Sequence, residues 1–89
     1  MEQRYRRGGG VEAAPMEGET LLYHPSTKKF CRLNATAAFL WERLAEPLTV
    51  EQLAAELCTA FDGVEIDRAR QDAQGAVDEL QALSIIERA

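Results

Sequence analysis

The side chains that could take part in catalysis are few and scattered. His24 is the only histidine of the 89-residue chain, and its two cysteines are Cys31 and Cys58. A cysteine nucleophile needs a neighbouring base, and acid–base catalysis needs a titrating group beside the reacting atoms. His24 precedes Pro25 in a predicted hairpin turn, where we expect it in solvent without such a partner. Cys58 shares a helical spacing with Phe61 and is expected in the core. We therefore expect a protein that is not an enzyme.

The sequence lacks the patterns that are typical of cofactor-binding and metal-binding sites. Two cysteines and one histidine are too few for a disulfide scaffold and do not have the spacing of a metal site. The run Gly8-Gly9-Gly10 is not predicted to follow a strand and lacks the following Lys-Ser/Thr of a phosphate-binding loop. We expect no cofactor and no metal ion. Reduced cysteines and the lack of a long apolar run predict a cytoplasmic protein that does not span a membrane.

Charge is distributed unevenly along the chain. Residues 1–41 carry six basic and four acidic side chains, a net charge of +2, whereas residues 42–89 carry four basic and eleven acidic ones, a net charge of −7. Such an acidic half is a poor surface for nucleic acid, and we expect no nucleic-acid partner. Asp72, Asp78 and Glu79 fall within the acidic half. Such a group is usually a solvated helix face, and the alternative is a partner surface.

Three strands are predicted in the first part of the chain. Residues 1–10 are expected to be a flexible tail, followed by one domain over residues 11–89. Residues 11–16 form a weak strand that Pro15 confines to a sheet edge. Residues 19–24 and 29–33 form a hairpin whose second strand turns Cys31 and Leu33 towards the core. Turns are predicted at residues 17–18 and 25–28.

Three helices should follow. Asn34 or Thr36 can cap a helix over residues 35–45, and Thr49 with Gln52 forms a capping box for a helix that reaches residue 60. Asp67 is a candidate cap for a third helix that ends at residue 83. The apolar positions of these helices follow the 3.6-residue period: Ala37, Leu40, Trp41, Leu44, Leu53, Leu57, Phe61, Ala69, Ala73, Ala76, Val77, Leu80 and Leu83.

A small sheet beside three helices leaves one strand edge without a partner. An extended peptide can add a strand to such an edge, gaining affinity from backbone hydrogen bonds and specificity from side-chain pockets. The neighbouring helix would supply those pockets. Gly75 lies inside the third predicted helix, where glycine costs about 1 kcal/mol relative to alanine. Its presence indicates that another group packs close to that position.

Several segments of the chain form a pattern that matches a known family: Leu22-Tyr23-His24-Pro25, Phe30-Cys31-Arg32-Leu33-Asn34-Ala35-Thr36-Ala37, the helix with Trp41, Leu48-Thr49-Val50-Glu51-Gln52-Leu53, and residues 77–86. On these segments the sequence resembles the PqqD-like family of RiPP recognition elements, which bind the leaders of ribosomally made, modified peptides. The resemblance covers residues 19–87 and is strongest where the second hairpin strand meets the first helix.

The resemblance implies an α+β fold like a winged helix-turn-helix. A two- or three-stranded antiparallel sheet should precede three α-helices. It also implies a non-catalytic protein that binds a precursor leader peptide as an added β-strand along the third strand, beside the third helix. The peptide-binding residues implied for this chain are Lys28, Lys29, Phe30, Cys31, Arg32 and Leu33 on the strand and, off the apolar stripe of the helix, Asp72, Gly75, Asp78, Glu79 and Ala82.

The resemblance leaves more than one partner open. In lasso-peptide pathways, a small recognition protein delivers the precursor to a separate leader peptidase, and this is the setting we expect. The alternative is a PqqD-like chaperone that presents the precursor to a radical S-adenosylmethionine enzyme. A winged-helix DNA-binding regulator is a further alternative, which the acidic second helix disfavours.

Overall fold

The α+β fold predicted from the sequence is confirmed, with a three-stranded antiparallel sheet followed by helices. The computed structural model describes residues 2–17 and 19–89. These residues form six strands and three helices, in the order β1 (Arg4–Arg7), β2 (Glu12–Met16), β3 (Glu19–His24), β4 (Lys29–Leu33), α1 (Ala35–Arg43), β5 (Leu48–Thr49), α2 (Val50–Ala60), α3 (Ile66–Ala82) and β6 (Ile86–Arg88).

The main sheet has the strand order β2-β3-β4. The hairpin of β3 and β4 has the predicted bounds, and Leu22 pairs with Cys31 in its register. Both of these side chains and Leu33 are buried, so the inner face of the hairpin belongs to the core as expected. β2 is exposed along its whole length and places Pro15 on a sheet edge. Half of the turn predicted at 17–18 lies outside the described residues.

The prediction of a flexible tail over residues 1–10 is wrong for residues 4–7. They form β1, the central strand of a second sheet with the order β5-β1-β6. The Arg7 guanidinium donates hydrogen bonds to the carbonyl oxygens of Trp41 and Glu42, at 2.9 and 3.0 Å, and lies 4.0 Å from the centre of the Trp41 ring. A Cβ on Gly8 would lie 3.1 Å from the Ile85 carbonyl oxygen, so Gly8 permits a close backbone approach.

The helices begin largely as their capping residues predict. Asn34, rather than Thr36, caps α1 by accepting a hydrogen bond of 2.8 Å from the Ala37 amide. Thr49 and Gln52 form the predicted capping box of α2. Asp67 is not the cap of α3, because the helix already begins at Ile66 and Glu65 occupies the cap position. The Asp67 carboxylate, in the first turn of α3, still interacts favourably with the positive end of the helix dipole.

One apolar core joins the hairpin to the three helices. Every helix contributes buried residues from its predicted stripe, among them Leu40, Leu53 and Val77. Phe61 and Cys58 are partly buried against this core. His24, expected in solvent, is half-buried. None of the helices described is long and apolar enough to cross a membrane.

The docking of β1 can be tested with two arginine variants. We expect Arg7→Ala to lower the free energy of unfolding by about 1–2 kcal/mol, because it removes the stacking on Trp41 and two charge-assisted hydrogen bonds. Arg6→Ala is the control, since Arg6 forms only an exposed pair with Glu87, and should cost about 0.5 kcal/mol or less. Urea denaturation measures both. Equal effects would contradict the docking of Arg7 on α1.

Candidate functional site

A groove of about 470 Å³ runs between the end of β4, the first turn of α1 and one side of α3. Most of its lining residues are polar or charged, and its apolar side chains, which we call its floor, are Leu33, Ala37, Ala76 and Leu80. Leu33 and Leu80 are almost fully buried, at 3% and 2% exposure, because they also belong to the core. The floor is therefore rigidly held from below, which is what a preformed binding surface requires.

The β4 side of the groove is a sheet edge. β4 pairs with β3, and within the described ranges no strand pairs with its other side. Backbone amides and carbonyls of an antiparallel strand alternate between its two sides, so part of the β4 backbone points away from β3. An extended segment can add to such an edge with main-chain hydrogen bonds. The geometry thus places an edge that is open to strand pairing beside an apolar floor.

The rim of the groove carries charges of both signs. Arg68 and Asp72 form an ion pair of 3.4 Å along α3, and Arg32 lies 3.6 Å from Glu19 on the hairpin. Both arginine side chains are more than 70% exposed, so these pairs add little to stability. They place exposed charges of both signs around the apolar floor.

Gly75 lies on the groove with no close neighbour. A Cβ built on it would meet nothing within 4 Å in the described part of the chain. The described residues therefore do not supply the close packing expected at Gly75. A helical glycine that costs stability while facing open space leaves room for a group from another molecule.

Five of the predicted site residues lie together on the groove. They are Arg32, Leu33, Asp72, Gly75 and Glu79. The sequence reasoning missed the contribution of α1 and of the first half of α3, namely Asn34, Thr36, Ala37, Arg68 and Gln71. The Asn34 cap could have predicted the contribution of α1, because a cap directly after a strand places the first helical turn beside the end of that strand.

The other predicted site residues lie outside the groove lining. Phe30 is 64% exposed and packs on Tyr23, with 4.6 Å between ring centres, on the outer face of the sheet. Lys28 has a φ of 58° in the hairpin turn, and Lys29 is exposed at the start of β4. Asp78 accepts a hydrogen bond from Gln74 on α3. Ala82 is the last residue of α3.

Cys31 lies in the core behind the edge of β4. Burial raises the pKa of its thiol above the ordinary value, and the negative charge of Glu79 raises the pKa further. The thiol is therefore protonated at neutral pH and is a poor nucleophile. Among the residues that the structure describes, no three His, Cys, Asp or Glu side chains are grouped to hold a metal ion.

The family assignment follows from the span of a sequence match. A family model described as coenzyme PQQ synthesis protein D (PqqD) matches residues 19–86, which include both walls of the groove. This chain belongs to the PqqD family. β1 and β2 precede the span that matches the PqqD family. No curated protein matches the chain.

Two solved structures share the fold. One is TbiB1 in complex with the TbiA(beta) leader peptide, with a TM-score of 0.80, 21% identity, and coverage of 92% of this chain and 94% of that chain. The other is a lasso peptide synthetase B1 complexed with the leader peptide, with a TM-score of 0.77, 22% identity, and coverage of 93% and 96%. Because more than 90% of this chain is covered in both, the likeness extends beyond residues 19–86 into the part of the chain that precedes them.

Two glycine variants should change stability in opposite directions. Gly75→Ala should raise the free energy of unfolding by about 0.5–1 kcal/mol, because the new methyl group meets open space in a helix interior. Gly8→Ala should lower it, because its Cβ would lie 3.1 and 3.2 Å from two backbone oxygens of residues 84–85. Thermal and urea denaturation measure both. A destabilised Gly75→Ala variant would show that the chain does pack against this position.

Proposed function

We propose that this protein binds the leader segment of a ribosomally made precursor peptide. The leader lies as an added strand along β4 and places side chains on the apolar floor beside α3. The observation that carries the proposal is an unpartnered strand edge beside a preformed groove. The fold supports it as well, since both similar structures described above hold a leader peptide.

The groove can supply useful affinity without a deep pocket. Two or three apolar side chains of a peptide contribute about 1.5–3 kcal/mol each when they are buried, and pairing with β4 adds main-chain hydrogen bonds. Ordering the peptide offsets part of this gain. We expect a dissociation constant of micromolar order or tighter.

Strand pairing and groove contacts divide the recognition residues into two groups. The backbone of residues 29–33 supplies the hydrogen bonds, so the side chains of Lys29 and Phe30 need not touch the leader. The groove lining around Leu33 and Gly75 supplies the side-chain contacts. Lys28, Asp78 and Ala82 lie outside the groove lining, and we leave them out of the proposed site.

We further propose that the protein is non-catalytic and delivers the leader to a separate enzyme. The leader peptidase of a lasso-peptide pathway is the partner that we favour, because both similar solved structures are leader complexes and one is a lasso peptide synthetase component. Presentation to a radical S-adenosylmethionine enzyme is the alternative. The free thiols of Cys31 and Cys58 suit a reducing cytoplasm, where we place this step.

Backbone methylation of the leader tests strand addition directly. The probe is the labelled synthetic leader of a precursor peptide encoded beside the gene for this protein. N-methylation of successive leader amides should weaken binding about tenfold at every second position and little in between, because only alternate amides face β4. Fluorescence anisotropy measures the affinities. Binding without this alternation would overturn the strand mechanism, and no binding by the unmodified leader would overturn the proposed function.

We expect no saturable binding to DNA at physiological salt. The helix that would enter the major groove of a winged helix-turn-helix complex is α2, which carries Glu51 and Glu56 and no lysine or arginine. Glu51 forms an ion pair with Arg70, and Glu56 forms one with Arg43. Phosphate contacts supply nearly all nonspecific affinity for DNA. Tight binding to the upstream duplex of the gene in a mobility-shift assay would contradict this expectation.

A further inference from the structure

The charges on the groove are not equally paired. Four charged residues lie on it, and three of them have an ion-pair partner: Arg68 with Asp72, and Arg32 with Glu19. Glu79 forms neither an ion pair nor a side-chain hydrogen bond with any residue in the ranges 2–17 and 19–89. It is therefore the one groove charge that this chain leaves without a partner in its described part.

Glu79 lies on the side of α3 that faces the edge of β4. It lines the groove together with Arg32 and Leu33, which lie at the end of β4. The next residue, Leu80, belongs to the groove floor, and Gly75 lies one helical turn before Glu79 on the same side. A strand added to β4 would pass between β4 and this carboxylate.

A bound peptide would change the surroundings of Glu79. In the free protein this side chain is exposed and water solvates its carboxylate. A peptide that covers the groove removes part of that water, and a carboxylate that loses water without gaining a donor is unfavourable. A cation or a strong hydrogen-bond donor of the bound segment at this point would offset that loss.

We infer that Glu79 is a charge-recognition residue, which binds a lysine or arginine side chain of the peptide added to β4. The inference rests on the proposed function and adds to it a preference for a basic residue at one position of the bound peptide. Of the two cations, the arginine guanidinium can bond both oxygens of a carboxylate, and so it should be preferred at this position. An acidic side chain at the same peptide position should be selected against.

A selection from random peptides tests this preference without knowledge of the natural leader. The probe is a display library of random 16-residue peptides, selected on the immobilised full-length protein. The wild-type protein should enrich peptides with Lys or Arg at one aligned position. Glu79→Lys should enrich Asp or Glu at that same position instead, and Glu79→Gln should enrich neither charge there.

Single-peptide affinities give the size of the effect. For an enriched peptide, Glu79→Gln should raise the dissociation constant about tenfold, the size of a charge-assisted hydrogen bond. The same variant should leave the affinity of the peptide with its basic residue changed to norleucine nearly unchanged. Glu65→Gln is the matched control. It removes the same charge from the same helix, but Glu65 is the exposed cap residue of α3, about 21 Å from Glu79 along the helix axis.

The outcomes separate this inference from the proposed function. Enriched peptides without a basic preference, or equal effects of Glu79→Gln and Glu65→Gln, would overturn the role of Glu79 and leave strand addition standing. If no peptide is enriched and the leader also fails to bind, the proposed function itself is wrong. Denaturation of each variant confirms that a changed affinity does not reflect unfolding.

Discussion

The burial of Leu33 directly before the Asn34 cap is the constraint on which the rest of the structure depends. Leu33 ends β4 inside the core. Asn34 then accepts a hydrogen bond from the Ala37 amide, and α1 begins at Ala35, two residues after Leu33. No loop separates the strand from the helix, so the direction of α1 is set by the end of β4. The same core holds α3 through Val77 and Leu80. The free edge of β4 and one side of α3 are therefore held together as the two walls of a groove.

The floor and the rim of the groove differ in what they contribute to stability. Its floor, formed by residues such as Leu33 and Leu80, is shared with the core, so it cannot be changed without loss of stability. Its rim consists of exposed charges that contribute little to folding. Gly75, which also lines the groove, lowers helix stability and leaves a space that nothing in the described chain fills.

Local signals account for the parts of the fold that the sequence predicted well. The hairpin bounds follow from alternating apolar residues around a turn, and the α2 start follows from the Thr49 and Gln52 capping box. The tail prediction failed because β1 has no apolar alternation: its sequence is RYRR. β1 is held instead by pairing with β5, more than forty residues away in sequence, and with β6, about eighty residues away, and by the stacking of Arg7 on Trp41. The cap of α3 was misplaced because Glu65 makes no side-chain capping bond that a pattern could reveal.

The sequence by itself determined the fold class, the hairpin, the start of α1 and α2, and the helix faces that enter the core, because each of these depends on residues within about one turn or one strand of each other. It also placed Gly75 and Glu79 among the candidate site residues. Only the tertiary structure decided that Arg32, Leu33, Asp72, Gly75 and Glu79 share one groove, and that Phe30 and Asp78 do not line it. A period of two or 3.6 residues says which side of an element a residue occupies. Which element lies opposite that side depends on how the whole core packs.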